Sequence, residues 1–450
     1  MHKTPNFALA VLVVLVFGGR VARAQNYEPP VETQQWLKAT EQQGTIPAGT
    51  KITMLNWQQF KEFMPPGMIS LFEGKYGWKM PSDLEMDVRE TKVYPLPKEY
   101  AEASEKYGSQ TRVVHLPDGH NDIQGYVAGQ PFPNPSEPDK GYKILANNWF
   151  AYAPHLYVNS PQNMATGCGE DSFRNISCTK LTIVYRQLAY NTDPAVPRDE
   201  PGAGDAWFTE WLMVEEPEQS KYTANLLIFY KDNQADQDSY VFVPVLRRAL
   251  RLAVNSRCTP VSGSDVVRDD YNSKGFNGGL ALFDAKYLGT RKILALGNDY
   301  ANVTGNFPDN WYMPLGWPKP SWGPYELRDV DLIDVRRVES ERAGYCYGSR
   351  IMYVDKAFSY AIWEELYDTD MNLWKIFGGG GPHVADVPRV GRVVTNSVAT
   401  SAWDVQRNHA SFFSSIDSAG HDAVFNEDAP AEYRDLTRYS TPAGLMQLLR

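Results

Sequence analysis

The chain has 450 residues, 43% hydrophobic and 13% aromatic, with 44 Lys and Arg against 54 Asp and Glu, a formal net charge of −10. That acid excess gives no general attraction to phosphate backbones, and no dense Lys/Arg run offsets it, so nucleic acid is set aside as a partner. The one strongly apolar stretch, 7–17, is too short to cross a bilayer, which takes about 20 helical residues.

Taken in chain order, Met1-His2-Lys3, the stretch 7–17 and Ala22-Arg23-Ala24 before Gln25 have the layout of a secretory leader over 1–24. No cysteine follows the cleavage point, so no thiol is expected there for a lipid anchor. Residues 25–450 are expected to form one β-rich domain with a helical N-terminal part over about 25–157. Within that part, Pro65-Pro66-Gly67 interrupts the apolar stretch 60–72, and Pro97 opens a helix that stops at Gly108. The clearest helix starts near Asp139, because Tyr142, Leu145, Ala146, Trp149 and Phe150 make one apolar stripe.

After Cys178 the sequence turns to Val, Ile, Tyr, Trp and Phe runs parted by polar turns. Strands are expected at 181–190, 207–215, 225–230, 240–254, 330–338, 345–355 and 359–367, as an antiparallel meander. In the longest of them Phe242, Pro244, Leu246, Leu250 and Leu252 share a face that only Arg248 interrupts, and Pro244 marks an edge or a bulge. A strand of that length suits a sheet that curls around an interior. Thr441-Pro442 starts a last helix, with Leu445, Leu448 and Leu449 toward the sheet.

Four cysteines allow three pairings that sequence alone does not separate. Cys168 with Cys178, across a polar loop, and Cys258 with Cys346, between two strands, are the expected bridges. Loop closure makes them worth about 3 and about 4.5 kcal/mol. A metal site or free thiols are the rival, disfavoured because no CxxC pair occurs.

Signatures of chemistry are sparse. The run Gly378 to Gly381 is followed by Pro382-His383 rather than Lys-Ser or Lys-Thr, so it reads as a flexible loop and not a phosphate cradle. His115 and His120 are five apart in a stretch containing Pro and Gly, a poor metal pair. Neither a Gly-x-Ser-x-Gly elbow nor a His-Glu-x-x-His helix occurs. The acid pairs Asp269-Asp270, Glu215-Glu216 and Glu364-Glu365 are expected to be turn or edge charges, since neighbours on a strand point to opposite faces. Asn175-Ile176-Ser177 and Asn302-Val303-Thr304 match the glycan acceptor pattern, which bears only on a eukaryotic route. Trp207 with Trp211, and Tyr345 with Tyr347 and Tyr353, are expected to share strand faces.

Several blocks in order resemble a bacterial periplasmic family, domain of unknown function 1329, whose members are often labelled outer-membrane lipoprotein-sorting proteins. The first is Gly125-Tyr126-Val127-Ala128-Gly129-Gln130-Pro131-Phe132-Pro133. The second is Asp269-Asp270-Tyr271, Gly275-Phe276-Asn277-Gly278 and the run Phe283 to Gly289. The third runs from Tyr325-Glu326-Leu327-Arg328 through Tyr347-Gly348-Ser349-Arg350 and Tyr353-Val354-Asp355-Lys356 to Leu373-Trp374-Lys375. The chain departs from the family pattern at Ala285, where Trp is usual, and in the order Asn147-Asn148-Trp149. The resemblance implies an α+β fold like the lipoprotein carrier of the Lol pathway, a large curved antiparallel sheet, an unclosed barrel, wrapped over helices. It further implies a Gram-negative periplasm and an inner-membrane exporter of the resistance-nodulation-division type as partner, and it carries no catalytic residues, cofactor or metal. On that fold Trp207, Trp211, Phe229, Leu250 and Leu252 are expected to line an apolar interior with spare room, and Arg248 either to form a salt bridge at a sheet end or to meet an acidic headgroup. The expected function is a non-enzymatic carrier of a lipid or other hydrophobic molecule. The alternatives are a polysaccharide-binding or polysaccharide-cleaving protein and a filled-core scaffold at the outer membrane.

Overall fold

The computed structural model describes residues 28–253, 257–270, 276–277, 279–297, 307–417 and 419–448. The leader read at 1–24, Tyr271, Gly275 and Gly278 of the second block, Asn302-Val303-Thr304, Val254 and Leu449 lie outside the described residues.

The N-terminal part is a set of short elements that cover a sheet. Helix α1 (Val31–Ala39) is followed by strand β1 (Lys51–Thr53), a 3-10 turn (Trp57–Phe63) and α2 (Pro66–Phe72). The Pro65-Pro66 break parts the turn from α2, and Pro66 sits in the first helical turn, where its missing N–H costs nothing. Strand β2 (Glu85–Asp87) pairs with β1. Helix α3 (Lys98–Tyr107) follows Pro97 and ends at Gly108, and the ribbon of β3 (Arg112–His115) and β4 (Asn121–Gln124) leads to α4 (Lys140–Trp149), directly after Asp139. Every residue of the expected α4 stripe is buried.

The rest is dominated by one antiparallel sheet of fifteen strands among the described residues. Its strands are β5 (Leu156–Asn159), β6 (Ala165–Glu170), β7 (Ile176–Gln187), β8 (Ala206–Glu216), β9 (Ala224–Tyr230), β10 (Asp238–Val243), β11 (Arg248–Arg251) and β12 (Phe283–Leu296). The ribbon β13 (Trp311–Tyr312) and β14 (Trp317–Pro318) stands apart. The sheet continues with β15 (Tyr325–Arg337), β16 (Ser349–Asp355), β17 (Ala361–Tyr367), β18 (Leu373–Val387), β19 (Gly391–Asp404), β20 (His409–Ser414) and β21 (Val424–Phe425). The order is β11-β10-β9-β8-β7-β6-β20-β19-β18-β17-β16-β15-β12, with β5 also on β7 and β21 on β5. The end strands β11 and β12 do not pair with each other, so the barrel is unclosed. Helices α5 (Leu436–Tyr439) and α6 (Pro442–Leu445) finish the chain, with Thr441 capping α6 and Leu445 fully buried against the sheet.

Both faces of the sheet are covered. The inner face packs on α3, α4 and the β3–β4 ribbon, and that one cluster takes side chains from β7, β8 and β9 as well as β12, β15 and β16, so the sheet wraps around α4. The outer face packs on α1, α2 and the β13–β14 ribbon over β15 to β20, and on α5 and α6 over β5 to β10. On β16 Ile351 and Tyr353 point outward and Met352 and Val354 inward, and all are buried. Such strands carry no polar alternation.

Three expectations are corrected. The run 240–254 is a hairpin, because Pro244 opens a 3-10 turn over Pro244–Leu246 and Arg247 takes a positive φ of 47° before β11 returns. The glycine run Gly378 to Gly381 belongs to β18, where a side chain on Gly378 would collide with the Trp363 ring. The acids Asp269, Asp270, Glu364 and Glu365 are buried rather than turn or edge charges.

Both expected disulfides form. Cys168–Cys178 joins opposed residues of β6 and β7. Cys258–Cys346 spans 88 residues but joins two loops, not two strands. Replacing Cys258 and Cys346 together by Ser is expected to cost about 4.5 kcal/mol in denaturant unfolding, against about 3 for Cys168 and Cys178.

Candidate functional site

The site begins at α4. Gly141 lies against the backbone of Ala285, Lys286 and Tyr287 on β12 so closely that any Cβ there would collide with it. Asn147 clamps Phe132, accepting from its N–H at 2.9 Å and donating to its carbonyl at 2.7 Å. Tyr142 donates to the Leu280 carbonyl at 3.0 Å and Asn148 to that of Ser359 at 3.0 Å. These bonds satisfy buried polar groups and hold the helix's apolar stripe on the sheet.

Against that stripe lies a seam of aromatic rings. Trp149 meets Trp207 at 5.5 Å and Phe229 and Phe276 at 6.0 Å, edge to face in each case. Phe208 stacks on Phe229 at 4.2 Å, and Phe150 lies 4.8 Å from Trp207. Two small clefts open at the ends of the seam. One, about 20 Å³, lies beside Trp149, Phe229, Asp232 and Arg257, and the other, about 10 Å³, beside Tyr126, Phe150, Tyr190 and Trp207. A water needs roughly 10–15 Å³ by this measure, so they hold one or two waters and no hydrocarbon tail. Among the described residues the seam itself is filled by the protein's own rings.

The expected lining residues part company. Trp207 and Phe229 belong to the seam, but Trp211 faces outward onto Tyr439 at 5.1 Å. A bulge between Ala206 and Phe208 turns both Trp207 and Phe208 inward and reverses the parity that the sequence suggests. Arg248 and Leu250 are exposed on β11, Leu252 is half-buried beside it, and no ion pair to Arg248 occurs among the described residues. Phe208 and Phe276 were not singled out as lining residues, and only the bulge, invisible in sequence, brings Phe208 to the seam.

Beside the seam the inner face turns ionic. Asp269 accepts from Arg257 and Arg337 at 2.8 Å each and from Tyr345 at 2.9 Å. Asp270 takes Tyr347 at 2.7 Å and pairs with Arg350, whose guanidinium also holds Glu364 at 2.6 Å. Burial pushes the Glu364 carboxyl up to about 7 against the pull of Arg350. The next residue, Glu365, faces outward under α2, where it accepts from the Gly67 N–H at 2.6 Å, and burial raises it to about 7 as well. These acids lie on opposite faces of β17 and flank no groove. The charges are matched partner to partner, which makes the cluster a brace rather than a reactive centre.

His115 contacts Asn121 at 2.6 Å and His120 contacts Glu341 at 3.2 Å. No group of His, Cys, Asp and Glu suited to a metal occurs among the described residues, and no described helix is long and apolar enough to cross a membrane.

A curved antiparallel sheet wrapped around a helix, with an aromatic seam between them, defines a half-barrel closed by its own helix. The chain belongs to the family described as protein of unknown function (DUF1329), whose profile matches residues 51–445. Among solved structures it is similar to a DUF1329 family protein from Desulfovibrio piger, at 11% identity over 68% of this chain and 100% of that one, with a TM-score of 0.45. It is also similar to an outer membrane lipoprotein-sorting protein domain from Vibrio parahaemolyticus, at 12% identity over 66% and 96% of the two chains, TM-score 0.43. A LolA superfamily protein from Nitrosomonas europaea follows at 10% identity over 63% and 92%, TM-score 0.34. Comparison with curated proteins finds no match.

Removing Asp269 strands the buried Arg337 guanidinium and leaves Arg257 with only Asp236 of its two carboxylates, so Asp269→Ala is expected to lose about 3–5 kcal/mol in denaturant unfolding. Glu365 gives a pH test. Between pH 4.5 and about 7 the folded chain keeps a proton that the unfolded chain releases, so stability falls as pH rises through that window. Glu365→Gln keeps an acceptor for Gly67 without the charge, and thermal melting should show it more stable than the parent by about 1–3 kcal/mol at pH 8 and little changed at pH 5.

Proposed function

We propose that this protein is a non-enzymatic carrier of the Gram-negative periplasm, exported by the leader at 1–24, that takes a lipid or other hydrophobic molecule between α4 and the sheet. The observation that carries this reading is the aromatic seam: a helix lies on the inner face of a wrapped sheet, and a solvent-open cleft marks each end of the contact. The described conformation is then the closed, unloaded one, and the ligand displaces the α4 stripe. The magnitudes allow that exchange. About five large apolar side chains contribute roughly 1.5–3 kcal/mol each, and an acyl chain of about twelve methylenes contributes on the order of 10 kcal/mol in their place. An inner-membrane exporter of the resistance-nodulation-division type is the proposed partner, resting on the family resemblance alone.

The filled interior favours a second reading, a scaffold of the envelope that binds nothing inside. A sugar-binding role has less support, because no tryptophan is exposed among the described residues to serve as a platform.

Solvent extraction and native mass spectrometry of the purified protein, with uptake of a pyrene-labelled hexadecanoate, separate the first two. The carrier reading expects an apolar molecule to be recovered and the probe to bind, more tightly to Trp149→Ala or Phe229→Ala, each of which opens the seam. Should nothing be extracted, and neither the parent nor the variants take up the probe, the scaffold reading replaces it.

A further inference from the structure

The β10–β11 hairpin carries a surface that the seam does not explain. At its turn Val245 is 93% and Leu246 54% exposed, and Leu250 on β11 is 40% exposed. Arg247 and Arg248 stand next to them, exposed and without an ion pair among the described residues. Arg251, one turn of the pleat further on, is bound to Asp238 and contributes little free charge. Large aliphatic side chains on a projecting turn are a net loss in water, and two unpaired guanidiniums beside them reverse the field of a chain whose overall charge is −10. Leu250 and Arg248 also share one face of β11, since Ala249 between them points to the other, where Phe242 lies in the outer core.

We infer that this hairpin tip docks the protein on an anionic bilayer, with Val245, Leu246 and Leu250 entering the interface and Arg247 and Arg248 meeting lipid phosphates. Charge complementarity selects this occupant. A second copy added to the edge of β11, where the Ala249 N–H already donates to the Met446 sulfur at 3.2 Å, would set arginines against arginines, the arrangement by which edge strands resist pairing. An apolar tip with flanking cations is instead the pattern of an interfacial anchor, in which the aliphatic groups supply affinity and the cations select anionic headgroups. The inference stands independently of the carrier reading, because it concerns the outside of the fold and would hold equally for a scaffold.

The test is co-sedimentation of the purified chain with vesicles of phosphatidylethanolamine and phosphatidylglycerol, compared with vesicles of phosphatidylcholine alone. Binding is expected to the first and not the second, and to weaken as salt is raised. Arg247→Asn with Arg248→Ser should weaken it about 25-fold, at about fivefold per arginine. Val245→Ser with Leu246→Ser should weaken it at least tenfold. All four positions are exposed, so melting temperature should not move, and an unchanged melt shows that the variants fold. The inference is overturned if the parent binds neither vesicle or both alike, or if the variants bind as the parent does. It is equally overturned if the parent is a dimer that Val245→Ser with Leu246→Ser dissociates while vesicle binding stays absent, which would make the tip an interface between copies.

Discussion

The contact between Trp149 and the inner sheet face is the constraint on which the rest of the molecule depends. A sheet of this extent has two faces to bury, and on the inner one α4, a helix of ten residues, packs together with α3 and the β3–β4 ribbon. Everything around α4 serves to hold it there: the missing side chain at Gly141, the two reciprocal hydrogen bonds between Asn147 and Phe132, and the paired ions that stiffen the neighbouring part of the same face. The greasy and the ionic regions are therefore complementary. One can part without leaving unpaired charge, while the other strands buried charge if any member is removed.

The same constraint decides what could be read from the sequence. Helix α4 was legible because a stripe repeating every three or four residues survives whatever lies opposite it. Strands β8, β9, β16 and β17 were legible as dense apolar runs, which is what strands covered on both sides look like. The stretch from Leu373 to Ser414 was not, although it supplies three central strands, because glycine, serine and alanine replace the large side chains there. At Gly378 the bulk comes from the neighbour, Trp363, and a strand that borrows its packing has no signal of its own.

Trp211, Leu250 and Leu252 lie off the seam for a different reason. Period-two reasoning assumes an unbroken ladder, and two interruptions upset it. The bulge at Trp207 sent Trp211 to the opposite face, and the turn at Pro244 folded one expected strand into two, carrying Arg248 and Leu250 out to an edge. In the acid pairs the period was applied correctly, and Glu364 and Glu365 do face opposite ways. What the alternation does not carry is burial, and both faces proved to be interior.

The pairing of β6 with β20 joins residues 165–170 to residues 409–414 near the other end of the chain. Until β20 has been made, the sheet exists as two unjoined parts, each presenting a raw edge at β6 or β19. Contacts so distant along the chain form slowly, since loop closure opposes them before packing rewards them. The nascent protein is accordingly exposed to strand capture by other chains until its last hundred residues arrive, and Cys168–Cys178, closing a short loop at that same edge, can form well before the join.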